Sequence, residues 1–267
     1  MLRFISLGSG SSGNCYFLFT DSDGLIIDSG VGIRSLKKHF RDYGLSLPSI
    51  HHIVVTHDHA DHVKSVGNLS SDLHLPVYTT SKIHQGIIKN YCVSKKIPFD
   101  LQHLLQKDET ITLGDFTVTP FGVPHDSTEC IGFQIVADDT TFCIITDAGC
   151  VTDSMKPFIS NANYLVIEAN HDEEMLKSGP YPEHLKRRIS SGNGHLSNLH
   201  CAQAIAENVT EKIKRVWLCH LSEENNHPEL ARKTVASVLA SYGIVVGKDL
   251  ELEVLKRKNP SGIYDLV

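Results

Sequence analysis

The chain has 267 residues, 41% of them hydrophobic and 21% charged, a balance that excludes a disordered polypeptide and suffices for a sizeable buried core. Its net charge of −6 with neutral histidines offers no global basic field, so contact with a polyanion would have to rest on a local patch or on bound cations. No stretch approaches the roughly 20 apolar residues of a membrane span, and no signal-peptide pattern follows Met1. Seven scattered cysteines without a C-x-x-C pair argue against a disulfide framework or a thiolate zinc site, so a cytoplasmic protein is the expectation.

Residues 2–7 read as a strand, and the loop Gly8-Ser9-Gly10-Ser11-Ser12-Gly13-Asn14 that follows lets backbone approach a ligand or simply turns the chain. Further strands are expected at 15–19 and 25–28, then a helix over 33–43 with Leu36 and Phe40 on one face and Gly44 as its stop. The apolar run Ile53-Val54-Val55 is a buried strand, followed by a helix over 63–69, a strand at 77–78 and a helix over 81–91. From Thr110 the pattern changes to successive strands at 110–113, 116–123, 131–136 and 141–146, with Gly114-Asp115 and Asp138-Asp139 as hairpin turns. Strands at 164–167, 215–219, 250–255 and 263–266 and helices over 201–209 and 229–242 complete the chain. Strand and helix alternate, which says α/β, and the two halves suggest two mixed sheets packed face to face with helices outside. No linker-like composition divides residues 1–267, so one domain is expected.

The organising stretch is Thr56-His57-Asp58-His59-Ala60-Asp61-His62, at the end of that buried strand. In extended geometry His57 and His59 point to the same side and can grip one divalent ion, while Asp61 and His62 turn toward a second. Three more groups share the strand-end setting: His125 after Phe121-Gly122-Val123-Pro124, Asp147 after residues 142–146, and His220 after residues 216–219. One catalytic zinc needs three protein ligands, whereas paired ions need about six or seven, so seven candidates favour a dinuclear centre with Asp147 as the bridging carboxylate. Imidazole and carboxylate suit Zn, Mn or Fe.

This ordered set, with Asp147 inside Thr-Asp-Ala-Gly, resembles the metallo-β-lactamase superfamily over essentially the whole chain. The Gly8 to Asn14 loop, Glu168-Ala169-Asn170-His171-Asp172, Gly194-His195-Leu196-Ser197-Asn198 and the segment from His220 to Asn226 look more narrowly like the YycJ/WalJ-type bacterial metallo-hydrolases. The resemblance implies an αββα four-layer sandwich. It also implies one ion on His57, His59 and His125, another on Asp61, His62 and His220, and Asp147 on both. The activity implied is a metal-dependent 5′-to-3′ exonuclease acting on DNA. The lack of a long apolar run leads us to expect no membrane association, and no obligate protein partner is inferred.

Paired cations would lower the pKa of a bridging water and clamp phosphodiester oxygens, with Asp61 orienting that water. The leaving oxygen needs a proton, for which His195 is the candidate; its segment looks like the Gly-His-Ser segment of tRNA 3′-processing endonucleases, with Glu168 as the histidine's partner. Asn14, Ser222, Asn225 and Asn226 are candidate donors to substrate phosphate, and His171 is either a supporting residue or a helix cap. His200 and the basic cluster Lys186-Arg187-Arg188 read as ordinary surface. Two rival readings are a hydrolase of esters, thioesters or lactones on the same site and a non-catalytic metal-binding interaction module.

Overall fold

The computed structural model describes residues 1–267. The first half of the chain runs β1 (Leu2–Gly8), β2 (Cys15–Phe19), β3 (Gly24–Ile27), α1 (Ile33–Asp42), β4 (His52–Val54), α2 (Ala60–Val63), α3 (Val66–Leu73), β5 (Val77–Thr79), α4 (Ser81–Lys89) and β6 (Gln102–Leu104). The second runs β7 (Ile111–Leu113), β8 (Phe116–Gly122), β9 (Ile131–Ala137), β10 (Thr140–Ile145), α5 (Lys156–Asn161), β11 (Tyr164–Glu168), α6 (Glu173–Ser178), α7 (Glu183–Ile189), α8 (Asn198–Asn208), β12 (Arg215–Cys219), α9 (Pro228–Ser241), β13 (Glu251–Val254) and β14 (Tyr264–Leu266).

The strands form two mixed seven-stranded sheets, ordered β14-β1-β2-β3-β4-β5-β6 and β13-β12-β11-β10-β9-β8-β7. Each joins an antiparallel portion to a parallel one, β3 to β6 in the first sheet and β10 to β13 in the second. Along the second sheet, successive buried residues join different cores. Phe142, Ile144, Val166 and Trp217 belong to the core that contains the first sheet, whereas Cys143, Ile145, Leu165, Ile167 and Leu218 belong to a separate core with α5, α8 and α9. Successive strand residues face opposite ways, so this division is that of a sheet with another sheet on one side and helices on the other. Leu36, Phe40, Leu69, Ile83 and Ile87 from α1, α3 and α4 cover the first sheet's outer face, completing the αββα sandwich. Phe4 ties the sheets together, with ring centroids 5.1 Å from Phe142 and 4.8 Å from Trp217.

Local departures from the sequence pattern have identifiable causes. The single helix expected over 63–69 is two, α2 and α3, because the Ser29 N–H donates to His62 O at 2.7 Å and the Ser65 N–H turns to Ser29 O at 2.9 Å. The helix expected from residue 201 starts earlier, since the Ser197 hydroxyl accepts from the His200 N–H at 3.1 Å. Short elements of three to seven residues, β6, α5 and α7, leave no readable period.

Candidate metal centre

Strand ends from both sheets converge on one site. Asp28 follows β3, the His57 to His62 turn follows β4, His125 follows β8, Asp147 follows β10, Glu168 ends β11 and His220 follows β12. This is the usual place for a site in sheets with parallel strands, where the chain leaves each carboxyl end. Two of these turns carry left-handed backbone, with φ of 58° at Asp28 and 52° at His220, a conformation that costs energy for a side chain unless its neighbours fix it. At His220 they do: its N–H donates to the Ser9 hydroxyl at 3.0 Å and its carbonyl accepts from Asn170 Nδ2 at 2.9 Å. The glycine-serine loop after β1 therefore braces the site from below.

Ligand-type atoms of His57, His59, His125 and Asp147 lie within 4.8 Å of one another, and so do those of Asp61, His62 and His220. Asp147 sits between the two groups. Its Oδ2 faces His125 Nε2 at 3.6 Å and His57 Nε2 at 3.9 Å, while its Oδ1 faces His62 Nε2 at 3.3 Å. Asp61 Oδ2 lies 3.3 Å from His220 Nε2 and 3.7 Å from His62 Nε2. His59 enters through Nδ1, 3.3 Å from His125 Nε2.

Most of the imidazoles are held from behind. His62 Nδ1 is 2.7 Å from Asp28 Oδ2, His125 Nδ1 is 2.9 Å from Gly194 O, His57 Nδ1 is 3.0 Å from Thr56 Oγ1, and His220 Nδ1 is 3.0 Å from Glu168 Oε1. An N–H donated at Nδ1 fixes the tautomer that leaves Nε2 bare for a cation. The chemistry of the donor set fits a metal, because His57 Nε2 and Asp147 Oδ1 are buried without any hydrogen-bond partner, an arrangement costly for polar atoms that nothing else satisfies. Burial opposes charge on Asp147, but His220 and His62 hold its carboxyl well below the usual range. His57 is pushed the other way, well below the ordinary imidazole value, by burial and by His62. The site thus offers a carboxylate and a neutral imidazole, the forms that bind cations.

Glu168 is the hub of an adjoining group that shares Asp147 and His220 and adds His195. Its Oε1 accepts from His195 Nδ1 at 2.7 Å and from His220 Nδ1 at 3.0 Å. Its Oε2 accepts from the N–H groups of Ala148 at 2.9 Å and Leu196 at 3.1 Å. Four donors occupy this carboxylate, which favours an anchoring role over ligation. Burial lowers the pKa of His195, yet Glu168 more than offsets this and the imidazole ends above its ordinary value.

The remaining candidates are placed differently. Asn14 reaches the cluster, its Nδ2 2.9 Å from His62 Nε2 and 3.3 Å from Asp61 Oδ2. Ser222, Asn225 and Asn226 are buried, and Asn226 Nδ2 donates to the carbonyls of Ala169 and Asn170 while Ser222 Oγ accepts from the Asn225 N–H. The Asn226 bonds tie the loop after β12 to the loop after β11, and the Ser222–Asn225 bond closes a turn within the former. His171 does not cap α6, whose cap is the Asp172 side chain accepting from Met175 N–H. Asp28 falls outside the H-x-H-x-D-H pattern, although a carboxylate at the end of the buried run Leu25-Ile26-Ile27 repeats the setting of Asp147.

A family model described as Beta-lactamase superfamily domain matches residues 25–221. The chain is 37% identical over 262 residues to Exodeoxyribonuclease YycJ of Bacillus anthracis, covering 98% of both chains. It is 35% identical over 250 residues to Exodeoxyribonuclease WalJ of Streptococcus pneumoniae, covering 94% of this chain and 93% of that one. Among solved structures, the metallo-beta-lactamase fold protein YhfI of Bacillus subtilis superposes with a TM-score of 0.73 at 20% identity, over 99% of this chain and 100% of that one. No helix is long and apolar enough to cross a membrane. With the strand-end cluster of imidazoles and carboxylates, these likenesses establish that the chain belongs to the metallo-β-lactamase superfamily of metal-dependent hydrolases, beside YycJ and WalJ.

Proposed function

We propose that the protein is a dinuclear metal-dependent phosphodiesterase acting on DNA, most simply as an exonuclease. The observation that carries the dinuclear reading is the division of Asp147, one oxygen toward His57 and His125 and the other toward His62. The names of the two full-length relatives supply the substrate class. His57, His59 and His125 would hold one ion, Asp61, His62 and His220 the other, and Asp147 both. When bound, two such cations acidify water and neutralise charge developing on a phosphodiester.

The chain's own residues do the rest. Asp61 Oδ2, turned into the cluster between His62 and His220, is the acceptor that aligns a water for attack on phosphorus. Glu168 holds His195 through Nδ1, so that Nε2 is the atom from which a proton passes to the leaving oxygen. Against burial, Glu168 raises the pKa of His195 above its ordinary value, which favours the protonated form. Asn14 Nδ2, 3.3 Å from Asp61 Oδ2, donates a hydrogen bond to that carboxylate.

The test is incubation of metal-reconstituted protein with end-labelled linear DNA, linear RNA, circular single-stranded DNA, and a lactone and a thioester, with His59→Ala as control. Metal-dependent shortening of linear DNA, with the circle intact, is the expected result. Ester turnover without diester cleavage would overturn the proposal.

A further inference from the structure

A cavity of about 750 Å³ opens beside the metal cluster, walled by α6, α7, α8 and the loop after β10. Pockets for small ligands run about 300–1,000 Å³, so it is large enough for a nucleotide and too small for a duplex. His195 joins it to the cluster, since the same side chain lines the cavity and lies 3.9 Å from Asp147 Oδ2.

The charges on its wall are unequally matched. Lys156 pairs with Asp153 at 2.7 Å, Lys186 donates to Lys177 O at 2.6 Å and faces Glu183 at 3.5 Å, and the neighbouring Arg188 pairs with Asp126. The carboxylates Glu173 and Glu207 form no ion pair but accept hydrogen bonds from the hydroxyls of Ser197 at 2.9 Å and Tyr242 at 3.4 Å. Lys177 and Arg187 line the same space and form no ion pair. The same space is lined by planar rings, the exposed imidazole of His200 and that of His171, which is 2% exposed with an Nδ1 that has no partner. Unmatched cations with flat π-faces are what a phosphate and a base need.

We propose that this cavity receives the terminal nucleotide of a nucleic-acid strand, with Lys177 and Arg187 meeting its phosphate and His200 stacking on its base. The inference rests on the phosphodiesterase reading and deepens it: a nucleotide-sized recess next to the reacting groups selects strand ends.

The experiment titrates metal-loaded, full-length protein with 2′-deoxyadenosine 5′-monophosphate and with 2-deoxyribose 5-phosphate by calorimetry. Replacing Lys177 and Arg187 together by alanine should weaken both ligands by about tenfold or more, the loss of one or two charge-assisted phosphate contacts. His200→Ala should weaken only the ligand that carries a base, and unchanged melting temperatures establish that the variants are folded. Wild-type protein that binds neither ligand, or variants that bind like the wild type, overturn the proposal. DNA degradation is scored separately. Protein that binds the nucleotide through Arg187 but degrades no DNA sinks the nuclease reading and keeps the pocket, whereas nuclease activity with binding indifferent to Lys177 and Arg187 sinks the pocket alone.

Discussion

Asp28 lies outside the proposed ligand set, yet it fixes one member of it, His62. Its Oδ1 accepts from the Thr56 N–H at 2.8 Å, and its Oδ2 accepts from Thr56 Oγ1 at 2.8 Å and His62 Nδ1 at 2.7 Å. Asp28→Asn would present an amide N–H or a weaker acceptor to that imidazole, and metal affinity or turnover should fall by roughly 10–100-fold, measured by competition with a chromogenic chelator. Glu168 and His195 make a sharper pair. Because Glu168 anchors both His195 and His220, Glu168→Gln should reduce metal affinity as well as turnover. His195→Ala should leave metal content intact and lower kcat on DNA by about 10²–10⁴-fold. Loss of metal from His195→Ala would instead make His195 a ligand within the group it shares with Asp147, Glu168 and His220.

At the scale of elements, the break between α2 and α3 is part of the site. The chain after β3 lies so close against the His59 to His62 turn that a Cβ on Gly30 would sit 1.6 Å from the Asp61 carbonyl oxygen. Backbone cannot yield as a flexible side chain would, so Gly30→Ala should destabilise the fold by about 1–3 kcal/mol in denaturant titration and weaken metal binding by displacing Asp61 and His62. The sequence made the ligands legible because each sits at the end of an apolar run, a local pattern. It could not show which hydrogen bonds brace them: Ser9 on His220 spans 211 positions and Asn14 on His62 spans 48. The cavity was illegible for a related reason. α6 and α7 are only six and seven residues long, and Arg187 looks like any basic surface residue until Arg188 and Lys186 are seen to be paired and it is not.

Across the whole molecule, the two sheets bring their carboxyl-end loops to one seam, and the buried charge gathered there links folding to cation binding. Asp28 and Glu168 have no solvent exposure and Asp147 has 2%. Without cations, Asp147 must be balanced by neighbouring imidazoles that also carry the burden of desolvation, a weak compensation compared with divalent charge. Cations that bind the folded chain and not the unfolded one add stability by mass action, about 4 kcal/mol at a thousandfold excess over Kd, which for a chain of this size corresponds to a shift on the order of 10 °C in melting temperature. Chelation should therefore lower the melting temperature by that order, and zinc or manganese should restore it. The Asp147→Asn protein should show little response to either treatment, since the proposed centre places Asp147 on both ions and the amide replaces one of its carboxylate oxygens with a poor ligand. Equal melting curves for chelated and metal-loaded wild type would mean that the seam holds no tightly bound cation, and the dinuclear reading would fail with it.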